Sequence, residues 1–223
     1  MKTIKLLSFP VLIVVLFLTS NVFQSCGPDD CEVEEETCDT CIQVFKPNIY
    51  IYPENATNLR ITLSFPQGGK IDVSIPEYGN GWDIYVDKYG KINNEFDYLF
   101  YESSQPDVWQ MEKGWCIKMQ NLTEFFTNNL TIYGFEGQEI KDFMDYWIPR
   151  FTTSDYYVIY PQNNEIIDSV IELNISQTPK TILRLFYVVQ ESNNDISNNL
   201  EEPLIDSFSR ERFFVTEWGV VLK

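Results

Sequence analysis

The stretch Lys46-Pro47-Asn48-Ile49-Tyr50-Ile51-Tyr52-Pro53 is the first in the chain whose pattern specifies a fold. Ile49 and Ile51 alternate with Tyr50 and Tyr52, the period of a strand with one apolar face. Pro53 has no N–H for a ladder and ends the strand. The Ile49/Ile51 face is expected in the core, and the Tyr50/Tyr52 face is amphipathic. A strand needs neighbours, and the sequence beyond it supplies them.

Leu59, Ile61, Leu63 and Phe65 alternate with polar residues, and so do Ile71, Val73 and Ile75. Pro66-Gln67-Gly68-Gly69 between them reads as a hairpin turn. Trp82, Ile84 and Val86 form a third alternating face. Tyr98 to Glu102 and Trp115 to Met119 are further strand candidates, the latter with Cys116 on its polar side. The period then changes. Asn121-Leu122-Thr123-Glu124 has the spacing of a capping box, and Leu122, Phe125, Phe126 and Leu130 follow at helical intervals. Ile140, Phe143, Met144 and Trp147 form a second helical stripe that Pro149 stops. Strands resume at Tyr156 to Tyr160, Val170 to Ile175, Ile182 to Val189 and Phe213 to Val221, with a polar loop over 193–203. Ile182 to Val189 is apolar at nearly every position, as in a central strand. The expected fold is therefore α+β, mainly antiparallel and sandwich-like, with a two-helix insertion near 121–148 and a single domain over 46–223.

Upstream of that domain the sequence changes character. Lys2 and Lys5 precede the apolar run Leu6 to Leu18, which is shorter than the roughly 20 residues of a membrane span and reads as a signal peptide over 1–25. Phe23-Gln24-Ser25-Cys26 resembles the lipobox of bacterial lipoproteins. That resemblance implies a lipidated Cys26 as the membrane anchor. Asp29-Asp30 resembles the sorting signal of lipoproteins displayed on the outer membrane of some Gram-negative groups. Residues 26–45 are dense in Asp and Glu and read as an extended stalk. The stalk holds Cys31, Cys38 and Cys41, and Cys116 lies in the domain. In an oxidising compartment these four suggest structural disulfides, with three connectivities open. A Cys38/Cys41 redox pair lacks the helix such a motif opens, and a zinc site lacks a histidine.

From Lys46 onward the chain resembles an uncharacterised family of secreted and surface proteins. Five segments carry the likeness: residues 46–53, Gly81-Trp82, Tyr98-Leu99-Phe100-Tyr101-Glu102, Tyr146-Trp147-Ile148-Pro149 and Glu217-Trp218-Gly219. Val220 stands where many members carry a second glycine. The resemblance implies one contiguous domain and brings no activity with it.

Charge and residue usage exclude some functions. The net charge of −17 repels phosphate backbones, so nucleic acid is not an expected partner. The absence of histidine removes the most usual general base and metal ligand. No phosphate-binding glycine loop and no EF-hand spacing occurs, so no cofactor and no dedicated metal site is expected. Arg184, Glu102 and Glu217 fall where alternation predicts burial, and a buried charge requires a partner. Arg184 is expected to pair with Glu102 or Glu217. The two glutamates could instead serve as the carboxylates of a glycosidase-like hydrolase, which sit about 5–10 Å apart in such enzymes. Tyr101 and the loop residue Trp109 are candidates for exposed ligand contacts, whereas Trp82 and Trp115 continue apolar faces and belong in the core. The leading expectation is a surface lipoprotein that binds a glycan or an envelope protein. A carboxylate hydrolase and a structural envelope component are the alternatives.

Overall fold

The computed structural model describes residues 41–206 and 208–223. The expected signal peptide and the sites at Cys26, Cys31 and Cys38 lie outside the described residues. In chain order the described elements are β1 (Cys41–Tyr52), β2 (Thr57–Ser64), β3 (Lys70–Ile75), β4 (Trp82–Val86), β5 (Leu99–Pro106), β6 (Trp115–Lys118), α1 (Leu122–Tyr133), α2 (Gly137–Trp147), β7 (Tyr156–Gln162), α3 (Asn164–Val170), β8 (Glu172–Ile175), β9 (Thr181–Ser192) and β10 (Phe214–Leu222). They build a seven-stranded sheet, β3-β5-β1-β10-β9-β7-β6, and a three-stranded sheet, β4-β2-β8. Every pairing is antiparallel except that of β9 with β10. The fold is α+β and mostly antiparallel, with two joined helices in mid-chain.

β1 is the third strand from the β3 edge and sets the layering. It begins at Cys41, inside the stretch expected to be stalk, where Cys41 pairs with Pro106 and Val44 with Val221. Its ladder slips against both neighbours between Val44 and Asn48. Pro47 has no N–H to donate there, and Lys46 takes a left-handed φ of 58°. The bulge resets the alternation: Val44, Ile49 and Ile51 all enter one core, while Phe45 and Tyr50 face the other.

The seven-stranded sheet is apolar on both faces because both are covered. On one side the small sheet and α3 close over Ile49, Ile51, Tyr101, Phe186 and Val215. On the other side α1 and α2 bring Phe126, Leu130, Phe143 and Trp147 onto Tyr187, Trp218 and Val220. Rings dominate this second core: Phe126 lies 5.0 Å from Phe143 and 5.4 Å from Tyr187, and Phe143 lies 5.2 Å from Trp218. Gly219 sits where a Cβ would come within 3.0 Å of the Phe186 ring. Its neighbours Glu217 and Trp218 point into opposite cores, so Glu217-Trp218-Gly219 serves three packing needs at once.

Three local expectations are corrected. The capping box expected at Asn121 and Glu124 is absent, because residues 119–121 form a 3₁₀ turn and the Asn121 side chain makes no cap bond. A reciprocal box forms instead between Glu136 and Glu139, at the start of α2. Val170 to Ile175 is not one strand. Asn163 accepts from Ile166 N and caps α3, which buries Ile167 and Val170, and β8 starts only at Glu172. β3 does not bury Ile71, Val73 and Ile75 on one face. It is an edge strand whose register slips after Ile71, leaving Val73 and Ile75 opposite Glu102 and Phe100 and half exposed.

Candidate functional site

Arg184 and Glu217 sit on the paired strands β9 and β10, directly opposite one another and facing the core between the sheets. Arg184 Nε donates to Glu217 Oε2 at 2.5 Å, and both side chains are buried. The Tyr101 hydroxyl donates to Glu217 Oε1 at 2.7 Å. Arg184 Nη1 reaches Asp168 Oδ1 and the Ile171 carbonyl, each at 2.5 Å. Burial disfavours the guanidinium charge, but Glu217 and Asp168 outweigh it and hold Arg184 above its ordinary value. Burial, then Glu217, pushes the Tyr101 hydroxyl up, so it remains a donor.

This arrangement separates the two glutamates. Glu102 lies on the other face of β5 from Tyr101, towards Lys46 and α2, and takes no part in the network. Glu217 and Glu102 therefore face opposite sides of the seven-stranded sheet and do not converge on one substrate. Glu217 is also saturated by Arg184 and Tyr101.

The expected exposed contacts are corrected as well. Tyr101 is fully buried, with its hydroxyl committed to Glu217. Trp109 is 6% exposed and packs 6.1 Å from Phe186. Its loop is drawn inward by an amide exchange: Gln110 N donates to Gln162 Oε1, and Gln162 Nε2 donates to the Gln110 carbonyl, both at 2.9 Å. Cys116 carries a free thiol rather than a bridge. The polypeptide after β9 covers that face of β6, and Cys116 Sγ accepts from Ile196 N at 3.4 Å. Cys41 is disulfide-bonded, though not to Cys116.

The feature that sequence reasoning missed lies on the other face of β5, at the β1 bulge. Lys46 Nζ stands over three rings, 4.3 Å from the Phe100 centroid, 5.0 Å from Tyr98 and 5.5 Å from Tyr146. The Tyr98 hydroxyl accepts from it at 3.5 Å. No described residue forms an ion pair with it. Burial lowers the Lys46 amine below its ordinary value; Asp142 and Glu102 oppose that, and Arg150 adds to it. Beneath the rings, the Tyr50 hydroxyl donates to Asp142 Oδ2 at 2.9 Å, and Asn48 Nδ2 donates to the Tyr50 oxygen at 3.4 Å. Asn48 Oδ1 is buried with no partner among the described residues.

Lys46 opens onto a pocket of about 470 Å³ lined also by Ile75, Glu95, Phe96, Asp97, Tyr98, Phe100 and Tyr146. β5 supplies Phe100, the chain just before it supplies Glu95 to Tyr98, and the C-terminal end of α2 supplies Tyr146. One Asp97 oxygen is 2.9 Å from Lys91. The set combines aromatic faces, an ammonium donor and carboxylate acceptors around one cavity. A larger recess of about 590 Å³ lies by Arg184, Asn163 and Asn164, but its amides are committed. Asn163 caps α3, and Asn164 bonds to Arg184 N and the Ile182 carbonyl.

Comparison with known proteins finds no matching family model, no matching curated sequence and no matching solved structure.

Proposed function

We propose that this protein is a surface lipoprotein, anchored to the bacterial outer membrane through Cys26, whose domain binds a glycan in the Lys46 pocket. The observation that carries this reading is the convergence of Tyr98, Phe100 and Tyr146 with Lys46, Glu95 and Asp97 around one open cavity. Sugar rings present C–H faces that pack on aromatic rings and hydroxyls that need both donors and acceptors, and the pocket offers all three. The hydrolase alternative is less well supported, because its expected carboxylates, Glu102 and Glu217, lie on opposite sides of the sheet. The sequence supports the anchor through the lysine-flanked apolar run and Cys26. A protein partner pairing with β3 is the second reading, favoured by the exposed Val73 and Ile75 on an open edge.

The test is a glycan array probed with the full-length chain and with a Tyr98→Ala/Phe100→Ala variant. Each ring removed is expected to cost roughly 1 kcal/mol, so the variant should bind on the order of tenfold or more weakly. An array that stays silent, or binding that the variant leaves intact, would overturn the glycan reading.

A further inference from the structure

We infer that the glycan the Lys46 pocket takes is electrically neutral, a hexose or N-acetylhexosamine oligomer rather than an acidic or a free-amino sugar. This rests on the glycan reading above and narrows it.

The argument comes from what the pocket's charges can meet. Among the lining residues Lys46 is the one cation, held over three rings by ring contacts and a single long hydrogen bond, with no described carboxylate at ion-pair distance; Arg150 lies on the Tyr146 ring at 3.6 Å from its centroid. Its ammonium therefore keeps N–H capacity for an acceptor oxygen. Opposite it, Glu95 is exposed and Asp97 has one oxygen not engaged by Lys91. Behind it, Glu102 and Asp142 add negative potential at the amine. A uronate or phosphate on the ligand would find Lys46 as the one lining cation, with Arg150 seated on the Tyr146 ring and Lys91 held by Asp97, and would face the carboxylates of Glu95, Asp97, Glu102 and Asp142 on a chain whose net charge is −17. A free amino group would gain the carboxylates but meet the Lys46 ammonium inside the cage of rings. A neutral ring pays neither cost. Its C–H groups pack against the parts of Phe100 and Tyr98 that Lys46 leaves open, one ring or hydroxyl oxygen accepts from Lys46, and adjacent hydroxyls donate to Glu95 or Asp97.

Matched oligomers titrated into the full-length chain by calorimetry separate these classes. The probes are galactose against galacturonate trimers, N-acetylglucosamine against glucosamine trimers, and gluco- and manno-trimers as further neutral members. At least one neutral trimer is expected to bind, and its charged counterpart to bind about tenfold more weakly or worse. Glu95→Gln, an exposed change far from either core, is expected to weaken the neutral trimer and to strengthen the acidic one. Lys46→Met, which leaves an apolar chain among the rings, is expected to weaken the neutral trimer about tenfold. An acidic or amino trimer that binds more tightly than its neutral counterpart, and loses affinity in Tyr98→Ala/Phe100→Ala, would overturn the neutral assignment and leave the glycan reading standing. If no trimer of any class binds, both fall.

Discussion

Lys46 and Arg184 both lie against aromatic rings, and their surroundings assign them opposite tasks. Arg184 is enclosed: Glu217, Asp168 and a backbone carbonyl meet its guanidinium, and Tyr101 completes Glu217. Removing one member strands the other. Arg184→Leu leaves the Glu217 carboxylate in an apolar core with one hydroxyl donor, and is expected to cost about 3–5 kcal/mol in urea unfolding. Arg184→Leu/Glu217→Leu is expected to recover most of that, because no charge is then left unpaired. A single variant within about 1 kcal/mol of the parent would contradict a closed ion-pair network. Lys46 has rings but no counter-ion at contact distance, and its amine is held below the ordinary 10.5, chiefly by burial. The unfolded chain therefore binds this proton more readily than the folded one. The resulting penalty is complete below the folded pKa and is relieved as pH rises through it towards 10.5. Unfolding free energy of the parent relative to Lys46→Met is expected to rise from neutral pH to the 10.5 end. A flat difference would mean that the amine is not desolvated.

At the scale of elements, one buried carboxylate gathers donors from the helical pair, the sheet and the segment before β10. Glu139 is buried on α2, accepts from Glu136 N and from Thr216 Oγ1, and receives both terminal nitrogens of Arg210 at 2.9 and 3.0 Å. Arg210 also donates to the Gly134 carbonyl at the end of α1. Arg210→Ala is expected to lower stability by about 2–3 kcal/mol, read as a shift in the denaturant midpoint with an unchanged slope. Cys116→Ser is expected to fall within about 1 kcal/mol of the parent, since a lost disulfide would cost 2–5 and none is anchored there. Alternation and helical spacing were enough to read β2, β4, β10, α1 and α2. They failed where one residue changes the phase. The slips at Lys46-Pro47 and after Ile71 each moved side chains to the other face, and the short α3 ran into β8 within a single apolar stretch. On β5 the alternation correctly separates Leu99 and Tyr101 from Phe100 and Glu102. It cannot say which set is buried, because both sets are apolar enough to face a covered side. The Lys46 pocket was hidden for a different reason: it needs Tyr146 and Glu95 to Tyr98 brought beside a residue some 50 to 100 positions away. No local pattern encodes that approach.

For the whole molecule, the charge of −17 is the property that most directly separates the modes of binding. Raising ionic strength from about 0.01 M to about 0.15 M shortens the Debye length from about 30 Å to about 8 Å, which screens repulsion among exposed carboxylates. The folded chain is expected to gain stability over that range, seen as a rising thermal midpoint. A partner drawn by the acidic surface, such as a basic protein on the β3 edge, would show the opposite trend in affinity: its association would weaken steeply as steering and rim pairs are screened. A neutral sugar in the Lys46 pocket carries no charge to be screened, and its affinity rests on ring packing and short hydrogen bonds inside a cavity. Its dissociation constant is therefore expected to change less than about twofold across the same salt series. A neutral trimer whose binding collapsed with added salt would show that long-range charge, and not the pocket, holds it. The Tyr98→Ala/Phe100→Ala variant would then lose little further affinity, and the glycan site would have to be sought elsewhere on the surface.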